Sequence, residues 1–189
     1  MQSDAELSPQ KEARRLPASV IFVAFVVLLG FLGLIAWGLN RAQSGPITVG
    51  QKVPPFQMTT FDGETISTAD YSGKVILVNF WASWCKPCEQ EALDMQKAWE
   101  YYEPGGEVLF VGLDYVDTEG EALEFINRFG ITYPNGPDLR TAVSQMFRIL
   151  GVPETYVINS KGELVYVKKG PFLSLGEIQG VIEQALAQD

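Results

Sequence analysis

The sequence contains no histidine, and it has two cysteines, Cys85 and Cys88. The missing imidazole excludes Ser-His-Asp and Cys-His nucleophile pairs, histidine-ligated zinc or copper, and a histidine switch near neutral pH. Two cysteines are too few for a disulfide-stapled scaffold or for a four-cysteine zinc site within one chain, so no metal centre is expected. Basic residues are scarce as well: 14 Lys+Arg stand against 23 Asp+Glu, a formal net charge of -9. That balance leaves no basic face for a nucleic-acid partner. From residue 46 onward acids outnumber bases 20 to 10, which favours encounter with basic proteins. What is present is ample apolar material. The 189 residues are 47% hydrophobic and 20% charged, enough for one packed domain and incompatible with global disorder.

Ala18 to Leu39 carries no charge. As a helix it reaches roughly 33 Å, against roughly 30 Å for a bilayer's hydrocarbon core. It exceeds the roughly 7–15 apolar residues of a cleavable signal peptide, which is the alternative reading. Trp37 falls where an interfacial aromatic sits. Lys11, Arg14 and Arg15 precede the run, and Arg41 and Lys52 follow it. The positive-inside rule then places the N-terminus in the cytoplasm and the rest outside it. The expected organisation is a cytoplasmic tail (1–16), an anchor (17–40) meeting lipid through residues 18–39, a tether (41–50) and a soluble domain (51–189).

In that domain, short apolar runs alternate with helical periodicities. Phe56–Thr60 and Thr65–Ser67 flank Asp62-Gly63, a hairpin signal. Val75–Phe80 and Val108–Leu113 read as buried strands. Cys88, Ala92, Met95, Trp99 and Tyr102 have helical spacing over about 85–102. Thr118 with Glu121 forms a capping box for a helix closed by Gly130. The pattern predicts a further helix over 139–150, strands at Thr155–Ile158 and Leu164–Val167, and a last helix capped by Ser174. Burial of these runs calls for a central sheet with helices on both faces, its first β-α-β unit parallel. The acidic group Asp114, Asp117, Glu119, Glu121 and Glu124 reads as a solvated face.

The sharpest signal is Trp81-Ala82-Ser83-Trp84-Cys85-Lys86-Pro87-Cys88, which leaves a buried strand and opens a helix. Cysteines three apart in a first helical turn can approach closely enough for a disulfide. Unpaired backbone N–H groups and the helix dipole favour a thiolate at the first, and the thiolate is the attacking species. Lys86 adds a nearby cation, weakened by solvent screening. Pro87 suits a first-turn position. A redox dithiol fits best. A structural disulfide would restrain little chain entropy across so short a loop, and half a zinc site shared across a dimer has no other soft ligand to draw on.

The strand, this motif and the later Gly151-Val152-Pro153-Glu154-Thr155-Tyr156 resemble the thioredoxin superfamily, and more narrowly its membrane-anchored TlpA/ResA/DsbE-type branch. The resemblance covers about residues 47–187. It implies an α/β thioredoxin-like fold, a central mixed sheet with helices on both faces, preceded by one N-terminal transmembrane helix. It makes Cys85 the attacking thiol, Cys88 the resolving thiol and Pro153 a cis proline against the disulfide, turning the Val152 backbone toward a bound substrate strand. A glutamate matching Glu91 lies near the cysteines in this branch, where it raises thiol pKa values and relays protons to Cys88. Glu154 is a second acid at the site or a structural partner of its loop. Trp84, Lys86, Pro87, Val152, Pro153 and Glu154 are the candidate substrate-binding residues, and Trp81 packs beneath. Two departures stand out. Thioredoxins proper carry an aspartate where this chain has Asn79, and the branch often has a proline where it has Leu93.

The implied activity is a thiol–disulfide oxidoreductase, reducing specific protein disulfides such as those of apocytochrome c and re-reduced by a transmembrane thiol donor. No cofactor is implied beyond the Cys85–Cys88 couple. An oxidase or isomerase differs only in reduction potential. A thiol-based Cu(I) or partner-binding scaffold is the non-enzymatic alternative.

Overall fold

A computed structural model of the chain describes residues 17–42 and 45–188. The expected tail, 1–16, lies outside them. The chain divides at Gly45/Pro46 into two compact units. The first holds helix α1 (Ala18–Ala42), 25 residues long. It is apolar on every side, with Phe22 and Leu34 each 68% exposed. No polar face directs it against a protein surface, and it is long and apolar enough to cross a bilayer.

The second unit begins at Pro46, earlier than the expected boundary. The Gly50 N–H donates to the Leu164 carbonyl and the Leu164 N–H to that of Gln51, while Ile47 packs against the core. Hairpin β1 (Gln57–Thr59) and β2 (Thr65–Ser67) precedes β3 (Val75–Trp81), α2 (Lys86–Tyr102), β4 (Val108–Asp114) and α3 (Glu119–Phe129). Strand β5 (Asn135–Pro137), helix α4 (Ala142–Phe147), β6 (Glu154–Ile158), β7 (Leu164–Lys169) and α5 (Leu175–Leu186) complete it. The five-stranded sheet has the order β5-β4-β3-β6-β7. β4 pairs parallel with β3 and β5, whereas β6 pairs antiparallel with β3 and β7, so the sheet is mixed as expected.

Every residue of β3 and β4 is buried, which explains their nearly continuous apolar sequence. Alternation divides their side chains between two layers. Val75, Leu77, Trp81 and Phe110 meet α2, α3 and α5. Ile76, Val78, Phe80 and Val111 meet the hairpin and α4. Thr118 and Glu121 form the expected capping box, and Gly130 closes α3 with a left-handed φ of 62°. Helix α2 runs without interruption through Leu93.

Two expectations are corrected. The helix foreseen over 139–150 is only α4, preceded by a 3-10 turn, because Arg140, Thr141 and Arg148 are left-handed. Tertiary partners override its periodicity. The Asp138 carboxylate accepts from the N–H groups of Val143 and Ser144, and Glu154 draws the Leu150 N–H out of the helix. Leu150, at the end of the expected helix, is 81% exposed. Strand β5 was not foreseen, since Asn-Gly-Pro has no strand propensity. It exists because its neighbours need it. Asn135 accepts from the Trp81 indole at 2.8 Å and donates to the Tyr133 carbonyl at 2.8 Å.

Gly112 permits that arrangement, since a Cβ there would lie 1.8 Å from Asn135 Oδ1. Gly112→Ala is expected to destabilise the protein by about 3 kcal/mol, through overpacking and loss of the Asn135–Trp81 bond. Urea unfolding of the detergent-solubilised chain, followed by circular dichroism, tests this; a loss below about 1 kcal/mol would contradict it.

Candidate active site

β3 ends at Trp81, and four residues later the chain turns into α2. Cys85 is the N-cap of that helix, with extended φ and ψ of -86° and 102°. Its Sγ accepts the Cys88 N–H at 3.1 Å, and its carbonyl accepts the N–H groups of Cys88 and Glu89. Lys86 and Pro87 occupy the first two helical positions, where a missing proline N–H costs little. Cys85 and Cys88 are joined as a disulfide. Both are buried, at 3% and 2% exposure. Trp81 stacks on Phe125 with ring centroids 4.6 Å apart. Trp84 is 59% exposed, and its indole N–H reaches the Val116 carbonyl at 3.5 Å. Lys86 pairs at 3.0 Å with Glu89, which also binds Arg128 at 2.9 Å. That competition further dilutes any effect of Lys86 on the sulfurs.

Strand register brings the distant residues to this end of the sheet. Phe80 lies opposite Glu154, so the residues just before β6 stand level with the exit of β3. The Val152–Pro153 peptide bond there is cis. Glu154 in turn lies opposite Lys169, and the Gly170 N–H bonds to the Pro153 carbonyl at 2.9 Å. The chain leaving β7 therefore passes the same place. Its Phe172 N–H donates to Glu91 at 2.8 Å.

Glu91 is a turn beyond Cys88 on α2 and only 2% exposed. Its other oxygen accepts from Asn79 Nδ2 at 2.9 Å, and the same amide nitrogen donates to Thr155 Oγ1 at 2.9 Å. Burial pushes the Glu91 carboxyl up to about 7, although the Phe172 N–H, the Asn79 amide and the charge of Lys168 favour the carboxylate. A group balanced there can take or give a proton at neutral pH. Asn79 thus occupies the strand position of the thioredoxin aspartate as a donor that holds the acid of the neighbouring helix. Asn79, Thr155 and Phe172 had not been singled out as site residues. The first two carried a weak signal as polar residues in buried strands; the third acts through its backbone and carried none.

Glu154 is resolved in favour of the structural alternative and drops out of the substrate surface. It is 3% exposed. One oxygen accepts the Leu150 N–H at 2.8 Å and the other the Tyr156 hydroxyl at 2.6 Å. Val152 is half-buried and Pro153 buried. The acidic group is not one solvated face. Glu119, Glu121 and Glu124 are exposed, but Asp114 is buried and Asp117 half-buried.

A strand–turn–helix disulfide, a cis proline delivered by an antiparallel neighbour and a mixed five-stranded sheet define a thiol–disulfide oxidoreductase of the thioredoxin fold. Residues 49–167 match the model of the AhpC/TSA family, and the chain belongs to that family. It is 30% identical over 153 residues to thioredoxin-like protein YneN of Bacillus subtilis, covering 79% of this chain and 89% of that one. It is 34% identical over 145 residues to thiol-disulfide oxidoreductase ResA of Oceanobacillus iheyensis, covering 74% of each. A thiol:disulfide interchange protein of the thioredoxin family from Chlorobium tepidum superposes with a TM-score of 0.64 at 28% identity, covering 76% of this chain and 99% of that one. These relatives place the chain in the TlpA/ResA/DsbE-type branch.

Because the folded protein binds the Glu91 proton more tightly than the unfolded chain, stability from this group is complete below about pH 4.5. It is lost as pH rises to about 7, by about 3 kcal/mol. Glu91→Gln, which can still accept from the Phe172 N–H, is expected to gain about 3 kcal/mol relative to wild type across that window. Urea midpoints of the two oxidised proteins measure it; parallel pH profiles would refute the assignment.

Proposed function

We propose that this chain is a membrane-anchored reductase of protein disulfides, working on the extracytoplasmic side. The observation that carries the direction is the buried Glu91 carboxyl one turn beyond Cys88. A negative group there opposes a thiolate on Cys88, so the reduced pair gains little from ionisation and gives up its electrons more readily. The anchor rests on α1, and the orientation on Lys11, Arg14 and Arg15 preceding it.

In the proposed cycle the Cys85 thiolate attacks one sulfur of a substrate disulfide. A mixed disulfide forms and the other substrate sulfur leaves as a thiolate. Cys88 then gives its proton to the Glu91 carboxylate and attacks Cys85 Sγ. The second substrate sulfur leaves as a thiolate too; the two take up one proton from Glu91 and one from water, and the protein keeps the Cys85–Cys88 disulfide, two electrons poorer. The sulfurs carry these electrons without a prosthetic group. Trp84, Lys86, Pro87, Val152 and Pro153 form the docking surface, where the Val152 backbone can pair with an extended substrate segment. The substrate class is an unfolded polypeptide with paired cysteines, such as an apocytochrome c before haem attachment. A transmembrane thiol donor restores the dithiol.

A second reading has its own support. The Cys88 N–H on Cys85 Sγ, at the start of α2, stabilises a thiolate and pushes the couple toward oxidase behaviour. About 30 mV corresponds to about 1.4 kcal/mol for this couple, so the measured potential separates the two; a value near about -120 mV, that of a strong oxidant, overturns the reductase direction.

In cells, Cys88→Ser is expected to accumulate mixed disulfides with client proteins, while Cys85→Ser does not. Non-reducing gels resolve the adducts, and equal trapping by both variants refutes the order of attack. The wild-type pair is expected mainly reduced when thiols are trapped with acid, in spite of an oxidising compartment; a fully oxidised pool contradicts a dedicated electron supply.

A further inference from the structure

The loop that presents Cys85 is fastened to the loop after β4. The Tyr115 N–H donates to the Trp81 carbonyl at 2.8 Å. The Asp117 carboxylate takes both the N–H and the hydroxyl of Ser83, at 2.5 and 3.0 Å. Val116 supplies the carbonyl facing the Trp84 indole and has a left-handed φ of 58°. Beneath them, at the end of β4 and level with Trp81, lies Asp114.

Asp114 is 2% exposed, and its Oδ1 has no hydrogen-bond partner. The charged side chains acting on it, Asp117 from its own loop and Glu121 from α3, are both negative. Asp138 meets it through the backbone, its N–H donating to the Asp114 carbonyl at 2.9 Å, while its carboxylate faces the N–H groups of Val143 and Ser144. An ionised carboxylate in this setting would be buried, half-unpaired and repelled. A neutral acid needs one acceptor for its O–H, and Asp117 lies within reach.

We propose that a protonated Asp114 and the Asp117 carboxylate act as a positioning pair for the active-site loop. Protonated Asp114 donates to Asp117, leaving that carboxylate free to hold Ser83 and, through Ser83 and Trp84, the approach to Cys85. Loss of the proton sets two negative groups side by side and releases the loop. Burial first, then Asp117 and the charge of Glu121, push Asp114 up to about 8, so the release falls just above neutrality. Neither residue touches the sulfurs. The pair serves the oxidoreductase reaction proposed above, but its test uses the oxidised resting protein and a phosphine reductant. A wrong substrate or direction therefore leaves it intact.

In the oxidised full chain in detergent micelles, the protection factor of the Ser83 amide is expected to fall at least tenfold between pH 7 and 9. Trp84 emission, taken as the difference from Trp84→Phe, and the rate of disulfide reduction by the phosphine should shift with the same midpoint. Asp114→Asn provides a donor that does not titrate, so Ser83 stays protected across the range and both steps vanish. Asp114→Leu, where it folds, leaves Ser83 unprotected at every pH. A wild type flat from pH 6 to 9, or an Asn variant that titrates like wild type, overturns the proposal.

Discussion

Strand β3 is buried along its whole length, and a buried strand must satisfy its backbone on both edges. It pairs in parallel with β4 on one side and antiparallel with β6 on the other. Those two pairings, in those registers, decide nearly everything else at the site. The parallel neighbour ends beside Trp81 and sends out the loop that fastens Ser83 and Trp84. The antiparallel neighbour starts opposite Phe80 and so delivers the cis proline. β7, antiparallel to β6, brings Phe172 back to the same end. A slip of one residue in the β3–β6 register would turn β6 over and exchange its two buried faces.

Against that frame the electrostatics pull in opposite directions. The helix start, with the Cys88 N–H pointed at Cys85 Sγ, favours a negative sulfur at Cys85. In the proposed cycle Glu91, a turn further along and shielded from water, disfavours one at Cys88. In that cycle the two sulfurs are unequal within a single helical turn, as sequential attack and resolution require. Burial makes Glu91 useful for this, because the same carboxyl in solvent would stay ionised near neutrality and its field would be screened. Asn79, itself bound to Thr155, and the Phe172 N–H hold the acid without neutralising it. A basic residue at the Asn79 position would pair with the acid and fix it as a carboxylate.

Much of this was legible in the chain. The buried strands, the helix after the motif, both caps of α3 and the Ser174 cap of α5 followed from hydrophobic period and capping chemistry, since those are local properties. The cysteine pair was readable because a strand, a turn and Pro87 set it in a recognisable place. Other features were not readable. The end of α4 depends on a carboxylate four residues beyond Leu150 that captures its N–H. Strand β5 depends on a tryptophan 54 residues earlier that needs an acceptor. By sequence Glu154 is either a second acid at the site or a structural partner of its loop, and only the bonds from Leu150 and Tyr156 to its two oxygens decide between them. Asp114 belonged, by sequence, with its exposed neighbours.

The sequence by itself determined which segments fold, where the redox pair sits and that one helix can span a bilayer, because periodicity, capping and the length of an apolar run are written residue by residue. Tertiary structure alone decided which carboxylates are buried and what each of them meets there. Desolvation depends on what packs over a group from elsewhere in the chain, and no local pattern around Glu91, Asp114 or Glu154 records that.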